Sequence, residues 1–361
     1  MKLKKKYNLP LDEFINFCLY NEDHGYYMKK KKFGKDGDFI TAPNISRLFS
    51  EILAIWILSF WQSIGSPKRF NLIELGGGNG EMMKILFESF QNFPVFLNSC
   101  NFCIHEKSPS LIKVQKKNLF KKRISWISKI SEINKDPSIF IGNEFFDSLA
   151  IKQFKKKENS WFETFVNLKD LNKAFFFEKK IDIKKIEKKI DFKISKNQNF
   201  IEYSELGFNY LKKISKIIKK NKGGLLLIDY GNIDKKMKNS LRAFSKHKFA
   251  NILDDIGNVD ITHSINFELF QNYIKHLGEL KYKTTSQKNF LTQMGIKHRA
   301  EIISRNKIVP TVPNILTTVP VCIKICTLCC YRSTYQKSEV HHKTRHSTCK
   351  ECGLGMTKRW N

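Results

Sequence analysis

The run FNLIELGGGNG, from Phe70 to Gly80, decides the fold of this chain. Its first part, Phe70 to Leu75, is a short apolar segment and predicts a buried strand of a parallel sheet. A glycine-rich turn follows, and Glu81 to about Phe90 has the apolar spacing of a helix. A strand, a tight turn and a helix in this order indicate a unit of an α/β fold.

The same alternation continues along the chain on both sides of an interruption. Further strands are predicted at Phe102–His105, near Trp126, at Ile139–Gly142 and at Leu225–Asp229, and helices at Ser108–Leu119 and Gly207–Lys219. We therefore predict an α/β fold with a doubly wound parallel sheet of the Rossmann-like type, extra N-terminal helices and an inserted segment. Ligands of such sheets bind in the crevice beyond the carboxyl ends of the strands.

Composition divides the 361 residues into five parts. Residues 1–66 are predicted as an N-terminal helical segment, and residues 67–151 as the first half of the core. Residues 152–200 are Lys-rich, with strand-like pieces at Trp161–Val166 and Ala174–Phe177, and are predicted as an insertion. Residues 201–307 are predicted as the second half of the core, and residues 308–361 as an atypical Cys- and Thr-rich tail without Phe or Asp.

The formal net charge is +30, from 64 basic and 34 acidic residues. A charge of this size indicates nucleic acid or an anionic membrane as a partner. However, 55 of the basic residues are Lys, and Lys, Asn, Ile and Phe have codons made from A and T alone. Because a base-composition bias explains the charge, we do not expect a nucleic-acid partner; a functional basic face is the alternative.

The composition also excludes several classes of protein. The many Phe and branched apolar residues exclude a wholly disordered chain, and neither a coiled-coil nor a collagen pattern is present. No run of 18 apolar residues occurs, so no membrane span is predicted. The start, MKLKKKYNLPLDEF, lacks the apolar region of a secretory signal, so we expect a cytoplasmic protein.

The glycine-rich turn has the spacing E-x-G-x-G-x-G, from Glu74 through Gly76 and Gly78 to Gly80. Glu81 stands where a dinucleotide fingerprint would need its third glycine, and no G-K-[ST] follows as in a P-loop. The glycines let a ligand approach the main chain, while the Glu74 carboxylate repels a pyrophosphate and suits a cation. S-adenosylmethionine, with a sulfonium, an α-ammonium and no phosphate, fits this chemistry.

A second acidic residue supports this interpretation. Glu106 follows the second predicted strand, 26 residues after Gly80. An acidic residue at this place can accept hydrogen bonds from both ribose hydroxyls of a nucleoside. The alternative is a helix N-cap or a surface charge, but Glu74 and Glu106 together favour a site for S-adenosylmethionine.

Further motifs stand in a fixed order along the chain. They are His24-Gly25-Tyr26-Tyr27, GDFITAP from Gly37 to Pro43, Glu74 to Gly80, Glu106 with Ser108-Pro109, NEFFD from Asn143 to Asp147, IDYG from Ile228 to Gly231, SLRA from Ser240 to Ala243 with His247, DITH from Asp260 to His263, and Phe290-Leu291 with Gly295-Ile296. In these motifs the chain resembles the MidA family of S-adenosylmethionine-dependent methyltransferases, known in mitochondria as complex I assembly factors. The resemblance covers roughly residues 8–306 and departs from the family at Gly77, Asn79 and Asn44, where Pro, Arg and Glu are usual.

The resemblance implies a class I methyltransferase fold, S-adenosylmethionine as cofactor and a protein as substrate. The mitochondrial members look like arginine methyltransferases that act on a core subunit of NADH dehydrogenase, which implies the matrix if the source is eukaryotic. A homodimer is left open. Two other functions also stay open: an RNA methyltransferase, and an assembly scaffold that has lost the transfer activity.

Glu144 and Asp147 are the predicted catalytic residues for an arginine substrate. They lie three residues apart after the fourth predicted strand, so a helical turn would place both carboxylates on one face. Carboxylates can orient a guanidinium fork and accept a proton from it. Phe145 or Phe146 is expected to form a wall of the substrate pocket, Phe146 being our choice, and Asn143 to contact the cofactor. The alternative is that Asn143 and Asp147 only cap a helix.

A loop that contains Asp38 and Thr41 has glycines on its N-terminal side and could close over the cofactor. We assign Thr41 to the cofactor and Asp38 to the substrate, with a structural turn as the alternative. His247 and His263 are isolated and are expected to be structural. Asp229 is expected to form a turn at the end of its strand.

The tail carries a second pattern. Cys326-x-x-Cys329 and Cys349-x-x-Cys352 are separated by 19 residues, which is a spacing typical of zinc sites. The resemblance ends before this point, and the family segment that would complete the sheet is missing. We therefore favour a tail that is artefactual or disordered, with a zinc site as the alternative, and expect no metal at the active site.

Overall fold

The computed structural model describes residues 7–23, 25–28, 42–169, 173–245, 248–278, 280–306 and 320–326. Its strands are β1 (Asn8–Pro10), β2 (Phe70–Leu75), β3 (Cys100–His105), β4 (Ile124–Ile127), β5 (Ser138–Asn143), β6 (Lys152–Lys157), β7 (Ser160–Asn167), β8 (Phe175–Ile181), β9 (Phe200–Tyr203), β10 (Gly223–Asn232), β11 (Arg242–Ser245), β12 (Lys248–Ala250), β13 (Asp260–Thr262), β14 (Ile265–Asn266), β15 (Lys281–Ser286) and β16 (Pro320–Cys326). Its α-helices are α1 (Leu11–Tyr20), α2 (Ala42–Ile45), α3 (Arg47–Ser63), α4 (Glu81–Phe90), α5 (Pro94–Ser99), α6 (Pro109–Asn118), α7 (Ile183–Ile190), α8 (Glu205–Asn221), α9 (Phe267–Leu277), α10 (Gln287–Gln293) and α11 (Ile296–Asn306).

A central sheet has the strand order β15-β16-β10-β5-β2-β3-β4. The strands β4, β3, β2, β5 and β10 are parallel, and β15 runs in the same direction because both β10 and β15 pair antiparallel with β16. All six residues of β2 are buried, as expected for a strand covered by helices on both faces. The predicted doubly wound sheet is confirmed.

The side chains of β2 alternate between two cores. Phe70 and Leu72 pack in a cluster that contains the apolar residues of α3 and α4. Ile73 and Leu75 point to the other face and pack in a cluster with those of α8 and α9. This period of two fixes the register of the strand, since a slip of one residue would turn Glu74 toward the opposite face.

The strand β16 lies in the part of the chain that we predicted to be outside the fold, and for residues 320–326 this prediction is wrong. The strand runs between β10 and β15, with Cys326 opposite both Gly224 and Lys281. The run PVCIKIC is a short apolar segment of strand-forming residues, but the change of composition after residue 307 hides this signal. The core therefore extends beyond the boundary that we predicted at residue 307.

The predicted insertion at residues 152–200 forms most of a second, antiparallel sheet. This sheet has the order β1-β7-β6-β9, with β8 paired to the long strand β7. Its first strand, β1, comes from the N-terminal segment that we predicted to be helical. Lys152 joins the two parts of the chain, because its ammonium group lies 2.8 Å from Asp12 and 3.0 Å from Glu163.

A third sheet was not predicted. It has three short strands in the order β12-β11-β13 and lies within residues 201–307, which we predicted to be core. Its strands have three or four residues each, too few to show an apolar period in the sequence.

Among the helices of the described ranges, none is long and apolar enough to cross a bilayer.

Candidate functional site

A cavity of about 940 Å³ opens at the carboxyl ends of β2, β3, β5 and β10. This is the position at which ligands of open α/β sheets bind. Residues that line it include Glu74, Gly76, Gly77, Gly78, Glu106, Asn143, Glu144, Phe145, Asp147, Tyr210, Tyr230, Arg242, Phe244, Asp260, Thr262 and His263. The structure thus brings together most of the residues that the sequence proposed for the cofactor and for catalysis.

The glycine loop forms one wall of the cavity. Gly76, Gly78 and Gly80 have positive φ angles of 69°, 51° and 85°, which favour glycine. A Cβ atom at Gly76 would lie 2.8 Å from Cδ2 of Phe145, whereas one at Gly78 would meet no atom within 4 Å. The main chain at Gly78 is therefore open to a ligand. Gly80 does not line the cavity, because it turns the chain into α4 as its N-cap.

Two polar side chains that line the cavity have a buried atom without a hydrogen-bond partner. Oε2 of Glu74 and Oδ1 of Asn143 have no hydrogen-bond partner in the described structure. Burial raises the pKa of Glu74 well above its usual range, and the charge of Glu106 raises it further. Buried acceptors are normally paired, so these two atoms fit a ligand that brings its own donors, as the α-ammonium of S-adenosylmethionine does.

Glu106 is held by donors on both of its oxygens. Oε1 accepts from the main-chain N–H groups of Lys107 at 2.8 Å and Ser108 at 3.0 Å. Oε2 accepts from Nε2 of Gln115 at 3.1 Å. Burial raises the pKa of Glu106. The N-cap of α6 is Ser108, whose Oγ accepts from the N–H of Leu111, so the alternative that Glu106 caps this helix is wrong.

Gln115 is a residue that the sequence analysis missed. It is fully buried on α6, and its Nε2 also donates to the carbonyl oxygen of Gly78 at 2.9 Å. Its Oε1 accepts from Nε1 of Trp126 at 2.8 Å. Gln115 thus ties the glycine loop to Glu106. The sequence offers one weak signal for a role of Gln115: it is followed by two lysines on a helix that is otherwise exposed to solvent.

The turn Asn143–Asp147 forms the opposite wall. Glu144 has a φ angle of 50°, in the left-handed region, and its N–H donates to the carbonyl oxygen of Ile228 at 2.8 Å. Oδ2 of Asp229 accepts from the main-chain N–H groups of Phe146 at 2.9 Å and Asp147 at 3.3 Å. The buried Asp229 carboxylate therefore fixes the turn that carries the two predicted catalytic residues.

The electrostatics of this wall are dominated by burial. Desolvation, followed by the charge of Asp147, raises the pKa of Glu144 to about 8. Desolvation also raises the pKa of Asp147 and, together with its two carboxylate neighbours, that of Asp229. Thr262 donates from Oγ1 to Oδ2 of Asp147 at 3.3 Å. Within the described residues, no Lys or Arg forms an ion pair with Glu144 or Asp147.

Phe146 does not form the wall that we predicted. It is fully buried and packs edge-on against Phe270, with ring centroids 5.5 Å apart. Phe145 lines the cavity instead, with its ring edge-on to Tyr210 at 5.1 Å. The reason is that neighbouring side chains of the turn point to opposite sides, so only one of the two aromatic residues can face the cavity.

Of the remaining residues with a role predicted from the sequence, only His263 has a described side chain. Asp38, Thr41 and His247 lie outside the described residues, as do the cysteine side chains of the tail. His263 is buried, with Nε2 3.1 Å from the carbonyl oxygen of Leu149, and desolvation lowers its pKa to about 4. A neutral imidazole held by the main chain fits the structural role that we predicted for it.

Comparisons with known proteins give the family. The family model described as "Putative S-adenosyl-L-methionine-dependent methyltransferase" matches residues 52–285. Protein arginine methyltransferase NDUFAF7, mitochondrial, from Xenopus laevis is 28% identical over 340 residues, with 84% of this chain and 74% of the relative covered. The protein of the same name from Homo sapiens is 26% identical over 343 residues, with 84% and 73% covered. The Caenorhabditis elegans homolog is 29% identical over 326 residues, with 82% and 75% covered.

A solved structure gives the same fold. The crystal structure of a protein from Burkholderia thailandensis bound to S-adenosyl-homocysteine has a TM-score of 0.73 at 18% identity, with 88% of both chains covered. The family match spans the glycine loop, the turn Asn143–Asp147 and the strand β10, which together surround the cavity. This chain belongs to the family of S-adenosylmethionine-dependent methyltransferases that resemble MidA.

Proposed function

We propose that this methyltransferase modifies an arginine side chain of a protein substrate. The relatives from Xenopus laevis and Homo sapiens are named protein arginine methyltransferases, and the carboxylates of the cavity fit such a substrate. Following the resemblance, we place a core subunit of NADH dehydrogenase as the substrate, and the mitochondrial matrix as the compartment if the source is eukaryotic.

One observation carries the proposal. At the cavity Asp147 is buried and Glu144 is part-buried, the pKa values of both are raised, and no Lys or Arg of the described residues pairs with them. Two desolvated carboxylates without a cation are unfavourable unless they bind protons or a positive group. A guanidinium group supplies this charge, together with N–H donors in a planar fork that matches carboxylate geometry.

The cofactor would lie along the other wall of the cavity and would reach Asn143 at the start of the opposite turn. Glu74 and Asn143 offer acceptors to its ammonium group, Glu106 offers oxygens to its ribose hydroxyls, and the open main chain at Gly78 lets it approach. When bound, S-adenosylmethionine supplies a methyl group on a sulfonium that is already a good leaving group. Thr41, which lies outside the described residues, stays proposed as a further contact, and Asp38 as a contact of the substrate.

The protein therefore contributes mainly orientation and charge to the transfer. The arginine nitrogen that gains the methyl group must lose one proton. In the proposed mechanism Glu144 and Asp147 fix the guanidinium plane, and one of their carboxylate oxygens accepts this proton. Asp229 acts through them, because its hydrogen bonds to the main chain set the conformation of the turn.

The test is transfer of a labelled methyl group from S-adenosylmethionine to the recombinant NADH dehydrogenase core subunit from the same source. We expect Glu144→Gln to bind S-adenosylmethionine normally and to lose about 1000-fold in kcat, as is typical when a group that acts on the transition state is removed. The matched control is Glu158→Gln, which changes a glutamate with a similar φ angle of 53° in the turn between β6 and β7. Full transfer by Glu144→Gln with normal cofactor binding would contradict the proposed role of Glu144.

A further inference from the structure

The small sheet of β11, β12 and β13 forms part of the cavity rim. Along β11, Ala243 is buried, whereas Arg242 and Phe244 line the cavity. This is the alternation of a strand with one face on the core and one face on the cavity. Ala243 packs in a cluster with Ile261 of β13, so the core-facing side anchors the sheet.

An aromatic side chain extends this rim into solvent. Phe249 on β12 lies opposite Phe244 in the antiparallel pair, and the two rings are 4.8 Å apart at an angle of 33°. The side chain of Phe249 is 75% exposed. Tyr230, which lines the cavity at the end of β10, is also 39% exposed. An apolar surface therefore continues from Phe244 in the cavity lining to Phe249 outside it.

We infer that Phe244, Phe249 and Tyr230 form a docking surface for the polypeptide that carries the methyl acceptor. We call these three residues the aromatic rim. The inference rests on the proposed function. It states what the substrate must present: an apolar side chain close in sequence to the modified arginine.

The argument for this occupant is the continuity of the rim with the cavity. An arginine that reaches Glu144 leaves its main chain at the cavity mouth, and residues two positions away in an extended chain lie about 7 Å from it. We expect those residues to contact the rim, because Phe244 and Tyr230 line the same cavity as Glu144. Exposed aromatic side chains next to a pocket are typical anchors for apolar side chains of a protein partner, since their burial removes apolar surface from water. A water-soluble small substrate would not need Phe249, which lies beyond the cavity lining.

The experiment uses two short fluorescein-labelled peptides with one central arginine. They are identical except that one has leucine and the other has serine at the two positions that lie two residues before and two residues after the arginine. Binding to the full chain is measured by fluorescence anisotropy in the presence of S-adenosyl-homocysteine, so that no transfer is needed. We expect the leucine peptide to bind the natural chain at least fivefold more tightly than the serine peptide.

The variant Phe249→Ser should remove this preference while leaving the binding of S-adenosyl-homocysteine unchanged. The matched control is Phe120→Ser, which changes another phenylalanine that is 73% exposed and does not line the cavity; it should keep the preference. Equal binding of both peptides to the natural chain, no binding of either, or an unchanged preference in Phe249→Ser would each overturn the inference. Failure of the proposed function is distinct: both peptides would bind as expected, but neither would gain a labelled methyl group when labelled S-adenosylmethionine replaces S-adenosyl-homocysteine.

Discussion

The two walls of the cavity are built in different ways. The cofactor wall, formed by Glu74, the glycine loop, Glu106 and Gln115, comes from neighbouring parts of the chain and is held by hydrogen bonds to the main chain. The acceptor wall, formed by the turn Asn143–Asp147 with Asp229 and Thr262, joins parts of the chain that are far apart in sequence. Both walls contain desolvated carboxylates. In the first, neutral donors fix Glu106, whereas the second holds three such groups, Glu144, Asp147 and Asp229.

This difference has a physical consequence. On the cofactor wall one carboxylate, Glu106, is already satisfied by three donors, so its surroundings are set before any ligand binds. On the acceptor wall Glu144 and Asp147 have raised pKa values, because burial disfavours their charged forms. We therefore expect changes of shape to act mainly on the cofactor wall, through the glycine loop, and changes of pH to act on the acceptor wall and on the buried Glu74.

The largest effect is expected for Glu144→Gln on the pH dependence of stability. Glu144 has a pKa of about 8 in the fold, against about 4.5 as its ordinary value. Between these values the folded protein holds a proton that the unfolded chain has released, so the stability of the natural chain falls as pH rises. From pH 5 to pH 9 the variant should gain on the order of 4 kcal/mol relative to the natural chain. Urea unfolding curves measure this, and a constant difference between the two proteins would contradict it.

The second prediction concerns a side chain added to the glycine loop and its effect on the affinity for S-adenosylmethionine. Gly78→Ala places a methyl group in the open space before the main chain, and we expect S-adenosylmethionine to bind about 100-fold more weakly, or about 2.7 kcal/mol. Gly65→Ala is the matched control, because Gly65 also has a positive φ angle and no atom within 4 Å, but does not line the cavity. Calorimetric titration should show normal binding for the control. Equal binding by both variants would show that the cofactor does not approach Gly78.

A smaller effect is expected for Gln115→Leu, which removes the link between the glycine loop and Glu106. The loss of its buried hydrogen bonds should lower the free energy of unfolding by about 2 kcal/mol. It should also weaken S-adenosylmethionine binding about tenfold, because the loop and Glu106 are no longer held together. Gln62→Leu, on the exposed face of α3, is the control. If Gln115→Leu loses stability but keeps full affinity, the link is structural only.

The smallest effect on cofactor affinity is expected for Glu74→Gln. Burial raises the pKa of Glu74 well above its usual range and its Oε2 has no partner, so in the empty site this carboxyl group costs stability as the pH rises above the ordinary pKa of a glutamate. At pH 8 the variant should therefore be more stable than the natural chain, and it should bind S-adenosylmethionine about fivefold more weakly. Thermal unfolding with and without cofactor separates the two quantities. A variant that loses both stability and affinity would show that Glu74 has a partner inside the fold.

The same contrast explains what the sequence could predict. The cofactor wall follows from a local pattern, since Phe70–Gly80 shows a strand, glycines at fixed spacing and a helix within one window. The acceptor wall depends on contacts between distant residues. The NEFFD string indicates its carboxylates, but not that Asp229 holds the turn, nor which phenylalanine faces the cavity.

Two sheet elements could not be derived for other physical reasons. The strands β11 to β13 are too short to show a period, and their position is set by packing of Ala243 and Ile261. The strand β16 has a local apolar signal, but its place between β10 and β15 is a pairing between distant parts of the chain. The change of composition after residue 307 instead indicated that this segment lies outside the fold.

The place of β16 also bears on the order in which the protein folds during synthesis. The strands β2 to β5 and β10 can pair with each other as soon as residue 232 has left the ribosome. In the described structure β15 has no sheet partner other than β16, so it must wait for residues 320–326. Until then, the outer edge of β10 presents unpaired main-chain groups to other nascent chains. The translating polypeptide therefore passes through a stage with its cofactor wall assembled and one sheet edge open, at which we expect chaperones to bind.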